Sequence, residues 1–278
     1  EDHMNGVLEL MENGEEWGIT AEQLFLPAIR ESERRETFEQ LLAAAEDAGI
    51  PVSYIKCGDE IRDSQLRLLC LHPEENTTLA DANAYSECFY VEVFAKKMKQ
   101  EAIDDRKAND ASGASAIGKI SILLTGDVEG EGERQLTQKL QALQESQSLQ
   151  ESRSLQESRS LQESRSLQES RSLQESQSLQ LTRRLQEQRG QRKFRVDILK
   201  VAHHGSGYST GTEFLATASP ATAIISCGRN NSYGHPHVET LQRLEDARVP
   251  WYGTMDYGAL TVNVDSHGNR LRGYLRRK

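Results

Sequence analysis

Apolar positions in this chain fall into short continuous runs, separated by stretches with helical spacing. Between residues 35 and 49, Phe38, Leu41, Leu42 and Ala45 recur at intervals that place them on one helix face, with Gly49 at the position that ends the helix. Residues 4–15 mix apolar and acidic positions as a shorter helix does, and EFLATAS and residues 237–249 read as two more helices. The apolar runs within 22–28, 51–59, 64–73, 88–95, 118–127, 194–204 and 222–228 are too short for buried helices and predict strands. GALTVNVDSHGN near the C-terminus predicts a last strand and a turn. Strands alternating with helices predict an α/β fold in layers.

One segment breaks the alternation. From about residue 143 to 180 the unit LQESRS recurs with small variations, so that Leu143, Leu149, Leu155, Leu161, Leu167, Leu173 and Leu179 stand six apart. Six residues at about 100° each leave a net rotation of about 240°, and the leucines point in three directions around a helix. That is neither a coiled-coil seam, which needs a spacing near 3.5, nor an amphipathic face. The segment predicts a solvated helix or an unfolded stretch, inserted into a loop that tolerates length. The organisation expected is a first domain part over 1–142, the repeat over 143–190 and a second domain part over 191–278.

Composition narrows the function classes. The net charge of −10 argues against a surface that wraps duplex DNA non-specifically, although the C-terminal RLRGYLRRK is locally basic. No apolar run approaches the roughly 20 residues that span a bilayer, so no membrane contact is expected from this segment. Cys57, Cys70, Cys88 and Cys227 are scattered without a CxxC pair, which predicts buried thiols rather than a zinc knot or a disulfide framework.

Candidate chemistry gathers in three places. EDHMNG carries Asp2 and His3; LLTGDVEGEGE carries Asp127 at the end of a buried run; VAHHGS carries His203 and His204 and is followed by NNSYGHPH with His235 and His237. Each taken alone has a structural reading: Asp127 as a helix N-cap, His204 as a hydrogen-bonded core histidine, His235 as a turn residue beside Pro236. Together, carboxylates and imidazoles at successive strand ends are the ingredients of a hydrolase with two metal ions.

The order of these motifs resembles the metallo-β-lactamase superfamily, and within it the hydrolase domain of ComEC-type DNA-uptake competence proteins. EDHMNG is similar to the last part of that family's H-x-D-x-D-H-x-x-G motif. His72-Pro73, Asn83 and Ser86 fit its H-P step and N-x-x-S loop. LLTGDVEGEGE, LKVAHHGS, GRNNSYGHPH and WYGTMDYGALTVNVD resemble its TGD, HHGS, YGHP and GA-[IL]-TV segments. The resemblance implies a four-layer αββα sandwich, incomplete at the N-terminus because the chain starts inside the first motif, and carrying the repeat as an insertion. It implies two divalent ions, zinc or manganese, held by Asp2, His3, Asp127, His204 and His203, with Asp127 bridging and Asp2 and His235 as the catalytic residues. The expected function is a phosphodiesterase or nuclease acting on DNA. The competing readings are a degenerate domain that binds nucleic acid or a partner, and a lactone or thioester hydrolase. The expected location is cytoplasmic for a stand-alone protein and extracytoplasmic for part of a ComEC-type membrane protein.

Overall fold

The computed structural model describes residues 2–75, 77–79, 81–95, 119–166, 196–265 and 268–275. The chain opens with α1 (Asp2–Asn13), then β1 (Leu24–Pro27), α2 (Glu36–Asp47) and β2 (Val52–Ile55). The two helices pack on each other, and β1 pairs in parallel with β2. Met11, Leu24, Leu26, Phe38, Leu41 and Ala45 form a small core of their own there. Phe38, Leu41 and Ala45 are the buried positions of α2, as their spacing predicts.

The main sheet holds seven strands in the order β3-β4-β5-β6-β7-β8-β9, namely β3 (Glu60–Arg62), β4 (Leu66–His72), β5 (Cys88–Phe94), β6 (Lys119–Leu124), β7 (Ile198–Lys200), β8 (Thr222–Ile225) and β9 (Trp251–Gly253). The first four are antiparallel, and β6 to β9 run parallel. Each parallel step needs a crossover, supplied by α3 (Gly130–Ser166), α4 (Thr212–Ala218) and α5 (Val238–Asp246) in turn. Leu136 and Leu140 of α3, Phe214 and Leu215 of α4 and Leu244 of α5 are buried against Leu123, Leu199, Val201, Ala223 and Ile225 of the strands and their ends. The central strands are apolar on both faces for this reason. A one-turn α6 (Thr254–Tyr257) leads into an antiparallel hairpin, β10 (Leu260–Asp265) and β11 (Gly268–Gly273).

The expected α/β class is therefore the class the chain adopts. Differences from the expected elements are local. Of the strand expected over 194–204, residues 194–195 lie outside the described residues, and the strand spans Ile198–Lys200; past it, His203 and His204 take φ of 46° and 54° and turn the chain out of the sheet. Register between β6 and β7 is held by Asp197, whose Oδ2 accepts from both the backbone N–H and the Oγ–H of Ser121 at 2.8 Å. Helix α3 leaves the core within the first repeat unit. Leu143 still packs on the core and Gln144 donates to the carbonyl of Thr217 at 2.7 Å, but Leu149 is 61% exposed. The helix continues to Ser166, and the rest of the expected repeat, 167–190, lies outside the described residues. No disulfide joins the cysteines: Cys70 and Cys88 are buried thiols, Cys57 and Cys227 half-buried ones. Among the described residues no helix is long and apolar enough to cross a membrane.

Candidate metal centre

The parallel strands β6, β7 and β8 bring three loops to one edge of the sheet, where loops held by a rigid sheet commonly carry chemistry. After β6 the chain makes a tight turn through Thr125, Gly126 and Asp127. Gly126 sits at φ 51°, and a Cβ there would lie 2.9 Å from the Cβ of Ser86, so the turn needs glycine for both reasons. Ser86 in return accepts the backbone N–H of Asp127 on its Oγ at 3.0 Å. The Ser86 loop is itself tied down by His72, fully buried at the end of β4, whose Nε2 donates to the carbonyl of Ala84 at 2.6 Å. Burial lowers the pKa of His72, which keeps it a neutral structural group.

Two bonds join the β6 and β7 ends. Thr125 Oγ1 donates to the carbonyl of Lys200 at 2.6 Å, and the carbonyl of Gly126 accepts from Lys200 Nζ at 2.9 Å and from the backbone N–H of His203 at 3.1 Å. This stitching fixes the position of Asp127 against the two histidines. Asp127 is 8% exposed, and its Oδ1 lies 3.7 Å from His204 Nε2 and 3.8 Å from Lys200 Nζ. Burial lowers the pKa of Lys200 despite the neighbouring carboxylate, which acts in the opposite direction.

The tautomers of the paired histidines follow from their partners. His204 Nδ1 lies 2.6 Å from the carbonyl of Ser226, which only accepts, so Nδ1 donates and Nε2 is the nitrogen that faces Asp127. His203 Nδ1 lies 2.9 Å from the carboxylate of Glu129 and donates to it, leaving its Nε2 unused by that contact. An imidazole that gives one N–H to a carbonyl or carboxylate and offers the other nitrogen is the arrangement found around bound metals. Two ligands of a tetrahedral ion, each about 2.1 Å from it, stand about 3.4 Å apart, and the Asp127–His204 separation of 3.7 Å is close to that span. The spacing of this one pair is thus close to that of two donors sharing an ion.

The third loop closes over the second. Gly205 lies at φ 89°, and a Cβ there would come 2.7 Å from Cβ of Pro236, so the HHGS turn and the YGHP turn pack through this glycine. His237 accepts the N–H of Gly207 on Nδ1 at 2.9 Å and donates from Nε2 to the carbonyl of Tyr233 at 3.1 Å, which assigns it a structural role. His235 stands among the other rings, 5.6 Å from His203, 6.2 Å from His204 and 4.8 Å from His237 between centroids. Its pKa is lowered, first by burial and then by those three imidazoles. The loop that follows β7 is held from both sides: Glu133 accepts the N–H groups of Thr210 and Gly211, and Arg243 donates to the carbonyls of Gly207, Ser209 and Thr210 at 2.8–3.1 Å.

Asp127, His203, His204 and His235 thus lie close together. Asp2 and His3 begin α1, and their side chains lie outside the described residues. Among the described residues no three His, Cys, Asp or Glu side chains gather closely enough to hold one metal ion. Glu129 and Lys200 contact the candidate ligands but were not singled out by the sequence reading. The signal available for them was only their place in the TGDVEGEGE and LKVAHHGS segments. Glu87 is a further unexpected residue. It lines, with Asp127, Tyr85, Leu79, Phe38 and Leu24, a cleft of about 370 Å³ between the α1–α2 unit and the main sheet. Its Oε1 is buried with no hydrogen-bond partner among the described residues, and burial pushes its carboxyl up to about 7.

Fold and site together define an α/β chain with a carboxylate–imidazole pair at the ends of adjacent parallel strands. Comparison with known proteins places it beside two particular ones. The chain is 26% identical over 224 residues to ComE operon protein 3 of Bacillus subtilis, covering 79% of this chain and 19% of that protein. It is 38% identical over 69 residues to Recombination protein 2 of Haemophilus influenzae, covering 25% of this chain and 9% of that protein. The chain spans less than a fifth of the length of these curated relatives. No family model matches it.

Proposed function

We propose that this chain is the metallo-β-lactamase-like hydrolase portion of a ComEC-type protein of DNA uptake, and that it cleaves phosphodiester bonds of DNA with two divalent ions, zinc or manganese. The observation that carries the reading is the pair formed by Asp127 and His204: a buried carboxylate 3.7 Å from the Nε2 of an imidazole that the Ser226 carbonyl orients toward it. The similarity to ComE operon protein 3 supports the assignment to the competence system, and the motif order supports the superfamily and its αββα sandwich.

Asp127, His204 and His203 would hold the ions, together with Asp2 and His3 from the start of α1. Such ions, when bound, supply Lewis-acid stabilisation of the phosphate and lower the pKa of a bound water. The rest of the work falls to the chain. Glu129 orients His203 through its Nδ1–H, and the Ser226 carbonyl orients His204. Lys200 offsets part of the charge of Asp127 and holds the Gly126 turn. His235, whose ring nitrogens no described residue hydrogen-bonds, is placed to move a proton at the leaving oxygen. With this protein embedded in its complete chain, Asp127→Ala should abolish manganese- or zinc-dependent cleavage of a phosphodiester while the circular dichroism spectrum is unchanged. Metal-dependent turnover that survives Asp127→Ala would sink the assignment. Nucleic-acid binding without any metal-dependent turnover in the wild type would point to the non-catalytic alternative.

A further inference from the structure

Three rings form two near-parallel pairs that link the buried site to an exposed tyrosine. His204 and His235 are 18° from parallel at 6.2 Å, and His235 and Tyr233 are 21° from parallel at 5.8 Å. The inner ring, His204, faces Asp127, and the outer ring, Tyr233, is 74% exposed. A tyrosine this open is ordinarily free to move, but its loop is clipped in place. Asn231 donates to the carbonyls of Gly228 and His235 at 2.9 and 2.6 Å and accepts the N–H of His235 at 3.0 Å. The Tyr233 carbonyl is held by His237, whose other nitrogen holds Gly207, next to Tyr208, a second tyrosine that is 85% exposed. Arg229 begins the same loop. Its Nε and Nη2 donate to the carbonyl of Met255 at 3.2 and 2.9 Å, it is exposed, and no carboxylate among the described residues pairs with it.

A solvent-facing aromatic ring on a loop whose backbone is pinned, with a hydrogen-bonded cation on the same loop, is a combination that binds an unpaired strand: bases stack on the ring and the phosphates meet the cation. We propose that the loop from 228 to 237 is a base-stacking platform that makes the site selective for single-stranded nucleic acid. Tyr233 takes the face of one unpaired base, and Arg229 holds a phosphate of the same strand. A duplex offers no open base face to the ring and gains only the phosphate contact. The proposal rests on the phosphodiesterase reading for what happens to the strand, but the binding itself needs no metal.

The test is fluorescence anisotropy of the complete protein with EDTA present. The probes are labelled oligothymidylate, a strand of equal length with abasic residues, and a duplex. Wild-type protein is expected to bind oligothymidylate at least about fivefold more tightly than the abasic strand, the ratio that one stacked base supplies. Tyr233→Ala should bring the two strands to the same affinity, and Tyr233→Trp should keep the preference. Arg229→Ala should weaken both strands alike and lower the salt dependence by about one phosphate contact. Equal binding of the two strands by the wild type, a preference that persists in Tyr233→Ala, or no binding of either strand overturns the proposal. Failure of the hydrolase reading shows separately, as absent metal-dependent turnover of a small phosphodiester that carries no base.

Discussion

The Glu87 carboxyl has a definite consequence for stability. Its pKa in the folded chain stands at about 7, against an ordinary value of 4.5, and burial is the cause. Below 4.5 the group is protonated whether the chain is folded or not, and it makes no pH-dependent difference. Between 4.5 and 7 the unfolded chain has released the proton and the folded chain still holds it, so stability falls as pH rises. Above 7 both forms are ionised and the deficit is complete. At about 1.4 kcal/mol for each tenfold change, the separation corresponds to roughly 3 kcal/mol, a large share of a typical domain's 5–15 kcal/mol. Glu87→Gln removes the titration and keeps nearly the same volume. Urea unfolding followed by tryptophan fluorescence should therefore show the variant and the wild type differing by a fixed offset near about pH 4. That difference should shift by roughly 3 kcal/mol in the variant's favour by about pH 8. A difference that stays constant over this range, or one that moves in the wild type's favour, would refute the account of Glu87 as a carboxyl whose buried Oε1 lacks a hydrogen-bond partner among the described residues.

Other expectations follow from the packing and the site. Leu140→Ala should cost about 2–5 kcal/mol in denaturant unfolding, because that side chain is fully buried, whereas Leu149→Ala, on the exposed part of the same helix, should stay within about 0.5 kcal/mol. Arg243→Ala should destabilise the chain by about 2–4 kcal/mol, since one guanidinium satisfies the carbonyls of Gly207, Ser209 and Thr210, and Arg243→Lys should recover less than half of that in a thermal melt. In the complete protein, His235→Ala should lower kcat for phosphodiester cleavage by ~10²–10⁴ with a smaller change in KM, and steady-state kinetics at saturating metal would show it.

What the sequence makes legible here is periodicity and local motif. The α2 face of Phe38, Leu41 and Ala45 follows from spacing alone, and the apolar runs around Leu123, Leu199 and Ile225 mark the buried strands. Asp127 and His204 are legible as strand-end chemistry because each follows such a run directly. The groups that hold them are less so. Glu133 and Arg243 lie on different helices and meet only through the loop between β7 and α4, so nothing in their own neighbourhoods separates them from ordinary solvated charges. Glu129 sits in an acidic stretch that reads as the start of a helix, and its contact with His203 spans more than seventy residues of sequence, most of the β6–β7 connection. His237 had the same standing as its neighbours in sequence, and only its two backbone partners assign it to the scaffold.

The way α3 leaves the core bears on how this chain changes over generations. Among the described residues, the core contacts of the helix are made by Gln144 or earlier residues, and the hexapeptide units continue the same helix as far as Ser166. Gain or loss of one unit by slippage of the coding repeat would move the helical turns beyond it by about 9 Å and turn them by about 240°, while leaving each turn at the base in place. Selection acting on the core contacts from Leu136 to Gln144 does not register the number of copies beyond them. Their number is therefore free to drift between related strains, and a census of repeat lengths in such strains should find many values beside an unvarying segment from Gly130 to Gln144.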